Sequence, residues 1–285
     1  MTRFIAACIQ MRSGTDPEEN AAAMEAMVRE AAAQGARYIQ TPEMTGAVQR
    51  DRKALFAVLK AEDEDIIAAT AARLAGELDV FLHVGSTAIA VANGKIANRA
   101  FLFGPGGERI ASYDKIHMFD VDLDNGESWR ESSTYTPGGE TVIADTGLAK
   151  VGLSICYDLR FPQLFRAQAL AGAEVLTTPA AFTRQTGEAH WHALIRARAI
   201  ENGAWVISAA QGGTHADGRE TYGHSLVVDP WGRIVADKGD AEPGVLMAEI
   251  DTAAVAGARA KIPNLKNARD FSVRSVAAAE AEQDA

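Results

Sequence analysis

The sequence predicts an α/β fold, on three observations. Apolar runs of strand length alternate with amphipathic stretches of helix length along most of the 285 residues. Asp16-Pro17-Glu18-Glu19 has the form of a helix start, with an N-cap, a proline at the first helical position and an acid at the third. Asn93-Gly94 lies between two apolar runs and is a strong hairpin signal. One layered domain over residues 1–276 is expected, with a frayed polar tail at 277–285.

The predicted elements follow this alternation in chain order. A first strand at 4–9 precedes a helix whose apolar face contains Met24, Met27 and Val28 and which ends at Gly35. The glycine-rich turn at 104–107 leads into a strand that ends just before Lys115. The other strands are expected at 37–42, 80–91, 95–103, 142–145, 149–155, 175–178, 205–209, 225–228 and 234–236, and the other helices near 66–78, 163–171 and 188–202.

The amino-acid composition limits the kinds of molecule that could be the main binding partner. A net charge of −10 argues against nucleic acid or an anionic membrane as the main partner, but leaves a small acidic substrate open. No apolar run approaches the ~20 residues that span a bilayer, and the N-terminus turns polar too early for a signal peptide. Two cysteines do not make a disulfide framework. We therefore expect a reduced, cytoplasmic protein.

Three polar residues each follow an apolar run: Glu43, Lys115 and Cys156. Cys156 also precedes a helix-like stretch, so its sulfur is expected near a helix N-terminus, where the dipole favours a thiolate. A buried cysteine with only a packing role is an equally common alternative. Because ligands of α/β proteins bind beyond the carboxyl ends of strands, we expect the three side chains in one pocket.

Segments around these residues resemble the signature segments of the nitrilase superfamily, the carbon–nitrogen hydrolases. They are Thr41-Pro42-Glu43, the segment 113–117 and the segment 152–158, and the resemblance continues in order from about residue 3 to residue 271. It is closest to the branch that holds deaminated-glutathione amidase and omega-amidase. Within that branch, Arg160-Phe161-Pro162, Tyr222-Gly223-His224 and the segment 209–215 look more like deaminated-glutathione amidase. The resemblance implies a four-layer α-β-β-α sandwich, whereas periodicity alone leaves a single doubly wound sheet open.

The resemblance also implies catalytic roles. Amide hydrolysis needs a nucleophile, a base, an acid for the leaving nitrogen and donors for the oxyanion. Cys156 would be the nucleophile, and Glu43 would remove its proton and pass it to the leaving group. Lys115 and the backbone N–H of Tyr157 would hold the oxyanion. Glu131 would orient Lys115 or the attacking water. No metal or organic cofactor is needed.

Further residues are candidates for substrate binding. Arg160 lies just past the nucleophile and would meet a substrate carboxylate, or else form a structural ion pair with Asp158 or Glu174. The other pocket candidates follow the strand at 175–178 and are Phe182, Thr183 and His190. His190 and His192 form an H-x-H pair, but a zinc site needs further ligands that the sequence does not identify, so no metal is expected.

We expect a cysteine amidohydrolase that converts a small linear ω-amide to a carboxylate and ammonia through a thioester on Cys156. Deaminated glutathione is the first expected substrate, with 2-oxoglutaramate and N-carbamoyl amino acids as alternatives. Two other classes stay open. A thiol redox sensor would need Cys8 as its resolving thiol, and a pseudoenzyme would bind a partner instead of catalysing. Apolar helix faces near 163–171 and 188–202 favour a homodimer or a larger homo-oligomer.

Overall fold

Strands and helices alternate along the chain as the sequence predicts, in a computed structural model that describes residues 2–123, 126 and 128–276. The helices are α1 (Pro17–Ala33), α2 (Arg52–Val58), α3 (Ile66–Leu78), α4 (Pro162–Leu170), α5 (Arg184–Asn202) and α6 (Ala253–Lys261). The strands are β1 (Arg3–Gln10), β2 (Tyr38–Gln40), β3 (Phe81–Val91), β4 (Lys95–Phe103), β5 (Arg109–Asp114), β6 (Asp120–Asp122), β7 (Ser128–Arg130), β8 (Val142–Asp145), β9 (Lys150–Leu153), β10 (Val175–Thr177), β11 (Trp205–Ser208), β12 (Gly212–Thr214), β13 (Glu220–Tyr222), β14 (Leu226–Val228), β15 (Ile234–Asp237) and β16 (Gly244–Asp251).

Two six-stranded sheets form the centre of the fold. Their strand orders are β16-β1-β2-β3-β4-β5 and β15-β14-β11-β10-β9-β8. In each sheet three strands are parallel, namely β1, β2 and β3 in the first and β9, β10 and β11 in the second. The flanking strands pair antiparallel, and β3 and β4 form the hairpin predicted at Asn93-Gly94. Two small ribbons, β6–β7 and β12–β13, lie outside the sheets.

The two sheets pack face to face. One hydrophobic cluster contains Cys8 and Tyr38 of the first sheet together with Val206 of the second. Polar side chains bridge the sheets as well, because the backbone N–H of Ala209, just after β11, donates to Gln40 Oε1 on β2 at 2.8 Å. The space between the sheets is therefore a packed core, and the single-sheet alternative is wrong.

Helices cover the outer face of each sheet. Met24 of α1 and Leu74 of α3 pack with residues of the first sheet in one cluster. Phe165 of α4 and Ile195 of α5 belong to the cluster that includes the second sheet. The four layers are thus helix, sheet, sheet and helix, which confirms the α-β-β-α sandwich.

Local signals explain where several elements begin and end. Asp16 caps α1, since its carboxylate accepts from the backbone N–H of Glu18 at 2.8 Å, and Pro17 is the first helical residue. The helix predicted to begin at 188 instead begins at Arg184, because Thr183 is its N-cap and accepts from Thr186 N.

Other elements differ from the sequence-based expectation. The sequence did not predict five features of the fold, which are α2, α6, β16 and the ribbons β6–β7 and β12–β13. The predicted tail at 277–285 lies outside the described residues, and the single-domain boundary stays a prediction. Within the described ranges, no helix combines the length and the apolar character needed to cross a membrane.

Candidate active site

Glu43, Lys115 and Cys156 lie together beyond the carboxyl ends of their strands. Glu43 follows β2, Lys115 follows β5 and Cys156 follows β9. Lys115 Nζ is 2.8 Å from Glu43 Oε1, and the negative charge of Glu43 acts on the neighbouring Cys156 thiol. All three line one cavity of about 670 Å³. The structure therefore brings the three side chains into a single pocket.

A glycine in β3 fixes the path of the chain that carries Glu43. A Cβ on Gly85 would lie 2.1 Å from the Thr41 carbonyl oxygen and 2.4 Å from the Pro179 side chain. Only glycine permits this approach of three segments. The Glu43 carboxylate is then held by the backbone N–H of Ala181, which donates to Oε2 at 3.0 Å.

A tight turn presents the Cys156 sulfur. Cys156 has a φ of +49°, in the left-handed region that side chains other than glycine rarely adopt. Its backbone N–H donates to the Pro179 carbonyl at 2.9 Å. The fully buried Asp158 anchors the turn, because it accepts from Ile155 N at 2.9 Å and from the Tyr113 hydroxyl at 2.7 Å.

The expectation that a thiolate is favoured at Cys156 is wrong, although the local structure is as predicted. A 3₁₀ turn over Cys156–Arg160 follows the strand, and helix α4 begins at Pro162. Burial, and then the negative charge of Glu43, raise the pKa of the Cys156 thiol well above its usual value, against the opposing effect of Lys115. The resting cysteine is therefore a protonated thiol that needs a base.

The charges of Glu43 and Lys115, the neighbours of Cys156, suit the removal of the thiol proton. Burial alone would raise the pKa of Glu43, but the Lys115 charge and hydrogen bonds from Lys115 and Asn98 hold it below its usual value. Burial alone would lower the pKa of Lys115, but Glu131 and Glu43 raise it well above its usual value. At neutral pH a carboxylate and an ammonium thus flank the thiol.

Glu131 faces Lys115 from the opposite side. Both of its carboxylate oxygens accept from Lys115 Nζ, at 3.0 and 2.9 Å, and the backbone N–H of Phe119 donates to Oε2 at 2.6 Å. Asn98 Nδ2 donates to both Glu43 and Glu131, at 3.0 and 3.2 Å. Asn98 is a site residue that the sequence reasoning missed. Its only signal is a polar amide inside the apolar strand β4.

The structure places most, but not all, of the predicted substrate-binding residues in the cavity. Tyr157, Arg160, Phe182 and Thr183 line the cavity, whereas His190 is not among the lining residues. His190 Nδ1 instead lies 3.3 Å from the Arg160 guanidinium. Arg160 has no ion pair with Asp158 or Glu174 among the described residues, because Asp158 pairs with His117 and Glu174 accepts from Lys150 N. The Arg160 guanidinium carbon lies 5.4 Å from the ring of Phe182, another residue of the cavity.

A second arginine in the cavity has no counterpart in the sequence-based expectations. Arg219 lines the cavity, and its guanidinium carbon lies 4.3 Å from the centre of the Trp129 ring. Arg50, which also lines the cavity, has its guanidinium carbon 4.7 Å from the same ring. The cavity is thus rich in guanidinium groups although the whole chain is acidic.

The histidine pair at 190 and 192 does not form one site. His192, His224 and Asp237 offer ligand atoms within 4.8 Å of one another, and His192 Nε2 is hydrogen-bonded to Asp237 Oδ2 at 2.9 Å. These are ligand types that zinc accepts. None of the three lines the cavity, so they have no contact with the Glu43–Lys115–Cys156 chemistry.

Comparisons with known proteins all point to one family of enzymes. The carbon–nitrogen hydrolase family model matches residues 5–260. The chain is 38% identical to a protein from Synechocystis sp. named deaminated glutathione amidase, over 94% of this chain and 98% of that one. It is 35% identical to omega-amidase NIT2 of Mus musculus, over 94% and 96% of the two chains. The crystal structure of the C. elegans NitFhit protein superimposes with a TM-score of 0.88 at 33% identity, covering 94% of this chain and 66% of that longer one.

Proposed function

The chain belongs to the carbon–nitrogen hydrolase family. From that premise we propose that it hydrolyses the amide bond between the 2-oxoglutaryl group and cysteinylglycine in deaminated glutathione. It is an enzyme that acts on carbon–nitrogen bonds of small amides. The names of its relatives support the substrate. The observation that carries the proposal is the buried Glu43–Lys115–Cys156 set, which lines a cavity with guanidinium groups for an anionic substrate.

The first half of the reaction forms a thioester. Cys156 Sγ attacks the amide carbon while Glu43 takes the thiol proton. The oxyanion is held by the Lys115 ammonium and by the backbone N–H of Tyr157. That N–H lies in the first turn of the 3₁₀ segment, where N–H groups have no helical partner. As the carbon–nitrogen bond breaks, Glu43 passes its proton to the leaving nitrogen.

The second half releases the acid. Water attacks the thioester carbon, and Glu43 accepts one of its protons. Collapse of the intermediate breaks the carbon–sulfur bond, and Glu43 returns the proton to the sulfur. Glu131 keeps Lys115 in place through both halves by accepting from its Nζ with both oxygens. Each catalytic group ends in the state in which it began.

The leaving group depends on the substrate, and ammonia is the second product only where the cleaved amide is primary. In deaminated glutathione the cleaved bond joins a 2-oxoglutaryl group to cysteinylglycine, so the second product is the dipeptide amine. In 2-oxoglutaramate the same acyl group is joined to NH₂, and the second product is ammonia. Both substrates would give one acyl-enzyme. Arg160, next to the nucleophile, is proposed to bind the 2-oxo carboxylate that they share.

Other activities and classes remain as alternatives. Omega-amidase activity is favoured by the similarity to NIT2 proteins, and N-carbamoyl amino acid hydrolysis would use the same nucleophile. A redox role is not supported, because Cys8 lies fully buried inside β1 and burial raises the pKa of its thiol to about 12. A partner-binding pseudoenzyme would have no use for the hydrogen-bonded Glu43–Lys115 pair beside a cysteine.

We also propose that the chain forms a homodimer or larger homo-oligomer in the cytoplasm. Leu170 of α4 and Ile200 of α5 are 61% and 51% exposed on the outer helical layer, which a second copy would cover. Light scattering of the native protein and of Ile200→Glu tests the assembly, since a monomeric native protein contradicts it. Cell fractionation tests the location.

The substrate is tested by assaying deaminated glutathione, 2-oxoglutaramate, N-carbamoyl amino acids and a nitrile with native protein and Cys156→Ala. Release of 2-oxoglutarate is measured for the first two, with cysteinylglycine and ammonia as their second products. We expect the highest kcat/KM with deaminated glutathione and no turnover by Cys156→Ala. A higher kcat/KM with 2-oxoglutaramate would make the enzyme an omega-amidase.

A further inference from the structure

Arg219 is a charged side chain that lines the cavity. Its guanidinium makes no hydrogen bond or ion pair with any described residue, and its Nε is fully buried without an acceptor. Another arginine that lines the cavity, Arg130, is held by Asp122 at 2.8 Å through two nitrogen–oxygen contacts. Arg219 packs against the Trp129 ring but, unlike Arg130, contacts no carboxylate among the described residues.

The backbone holds Arg219 in place. It follows the turn between β12 and β13, where the N–H of His215 donates to the Arg219 carbonyl at 2.8 Å and the N–H of Gly218 donates to the His215 carbonyl at 2.9 Å. The His215 ring is fixed in turn between the Ser13 carbonyl, at 2.9 Å, and the Thr221 hydroxyl, at 2.7 Å. The guanidinium is thus presented from a supported hairpin.

Its charge is poorly compensated. Burial lowers the pKa of Arg219, and the charges of Asp217 and Glu43 only partly offset that effect. An arginine still remains ionised at neutral pH. A guanidinium that has lost water without gaining an anion is unfavourable, so an arriving carboxylate would gain more here than at the surface.

A row of aromatic rings connects Arg219 to Arg160. From the Arg219 end, the Trp129 ring lies 6.3 Å from the Phe119 ring, which lies 5.2 Å from the Tyr157 ring. The guanidinium carbon of Arg160 lies 5.9 Å from the Tyr157 ring. All five side chains line the cavity. Arg160 and Arg219 therefore lie at opposite ends of one aromatic wall, and the exposed Arg50 shares the Trp129 end with the more buried Arg219.

We propose that Arg219 is the binding site for a second carboxylate, on the leaving-group side of the substrate. The inference rests on the proposed amidase function and specifies its substrate class, which is an amide with a carboxylate at each end. Arg160 belongs to the turn that carries Cys156 and serves the acyl side. Arg219, at the far end of the aromatic row, serves the amine side, where deaminated glutathione carries its glycyl carboxylate and 2-oxoglutaramate carries nothing.

The test compares three substrates in native protein, Arg219→Gln and Arg219→Lys. They are deaminated glutathione, its C-terminal glycinamide, and 2-oxoglutaramate. Loss of one charged hydrogen bond predicts a rise of about 10- to 100-fold in KM for deaminated glutathione with Arg219→Gln, with kcat little changed. The KM values for the glycinamide and for 2-oxoglutaramate should change by less than about twofold. Arg219→Lys should recover part of the affinity for deaminated glutathione that Arg219→Gln loses. Arg130→Gln removes a cavity charge that is already paired and is the matched control.

Binding separates this inference from the proposed activity. In a Cys156→Ala background, calorimetry measures the affinity of deaminated glutathione and of its glycinamide, with and without the additional substitution Arg219→Gln. We expect the free carboxylate to strengthen binding only when Arg219 is present. Equal affinity of the two ligands, or an equal loss for all three substrates in kinetics, would overturn the subsite. A native enzyme that binds deaminated glutathione through Arg219 but does not cleave it would instead overturn the proposed reaction.

Discussion

Lys115 Nζ lies 2.8 Å from Glu43 Oε1, and both side chains are almost completely buried. Removing one member of a buried ion pair leaves the other charged without compensation, which costs about 3–5 kcal/mol. Lys115→Met should therefore lower the free energy of unfolding by about that amount, measured by urea denaturation. The double variant Glu43→Gln/Lys115→Met should lose less free energy of unfolding than the two single variants lose together. Additive losses would contradict the pairing.

The Cys156 thiol is held protonated by burial and by the Glu43 charge, so removing that charge should ease its ionisation. In Glu43→Gln we expect the pH midpoint of iodoacetamide labelling to move to lower pH, although hydrolysis is lost. Buried Cys8 should stay unlabelled, and Cys156→Ala should abolish labelling. A midpoint that stays in place or rises would show that Glu43 does not oppose the thiolate.

A buried histidine links stability to pH. Burial lowers the pKa of His83 from 6.5 to about 3, and its Nδ1 is 2.8 Å from the Tyr38 hydroxyl. Because the folded-state pKa is depressed, the stabilisation from neutral His83 is complete above pH 6.5 and is lost as the pH falls toward 3. Between pH 7 and 4.5, native protein should therefore lose more unfolding free energy than His83→Gln, in urea titrations. Equal losses would exclude His83 as the source.

Gly85 is the point where the chain before Glu43 and the chain after β10 meet. A methyl group there would overlap the Thr41 carbonyl and the Pro179 side chain. Gly85→Ala should lower the melting temperature and reduce kcat far more than binding, because Glu43 and the Cys156 turn move apart. Gly139→Ala is the matched control, since a Cβ at Gly139 meets nothing within 4 Å. Similar activity of the two variants would show that the approach at Gly85 is dispensable.

The fold could be predicted where signals are local. Asp16 and Pro17 fix the start of α1, and the hairpin between β3 and β4 occurs at the predicted Asn93-Gly94 turn. β16 could not be predicted in the same way, because its partner is β1 at the other end of the chain and no turn connects them. The choice of two sheets over one came from the family resemblance, since strand periodicity is the same in both.

The site could be predicted in position but not in electrostatic detail. Glu43, Lys115 and Cys156 are found at strand ends because polar residues there must face a cavity or solvent. The ionisation of Cys156 depends on burial and on Glu43, which is distant in sequence, so a local helix-dipole argument gave the wrong direction. Arg219 was missed because an arginine in a hairpin normally faces water, and only the fold places it against Trp129.

The central claim is a covalent intermediate on Cys156, and trapping it is the most direct test. Native protein mixed with deaminated glutathione or with 2-oxoglutaramate is quenched in acid within one turnover and analysed by intact and peptide mass spectrometry. We predict the same added 2-oxoglutaryl group from both substrates, located on Cys156 and absent from Cys156→Ala. Turnover without any adduct on Cys156, together with activity in Cys156→Ala, would contradict the account.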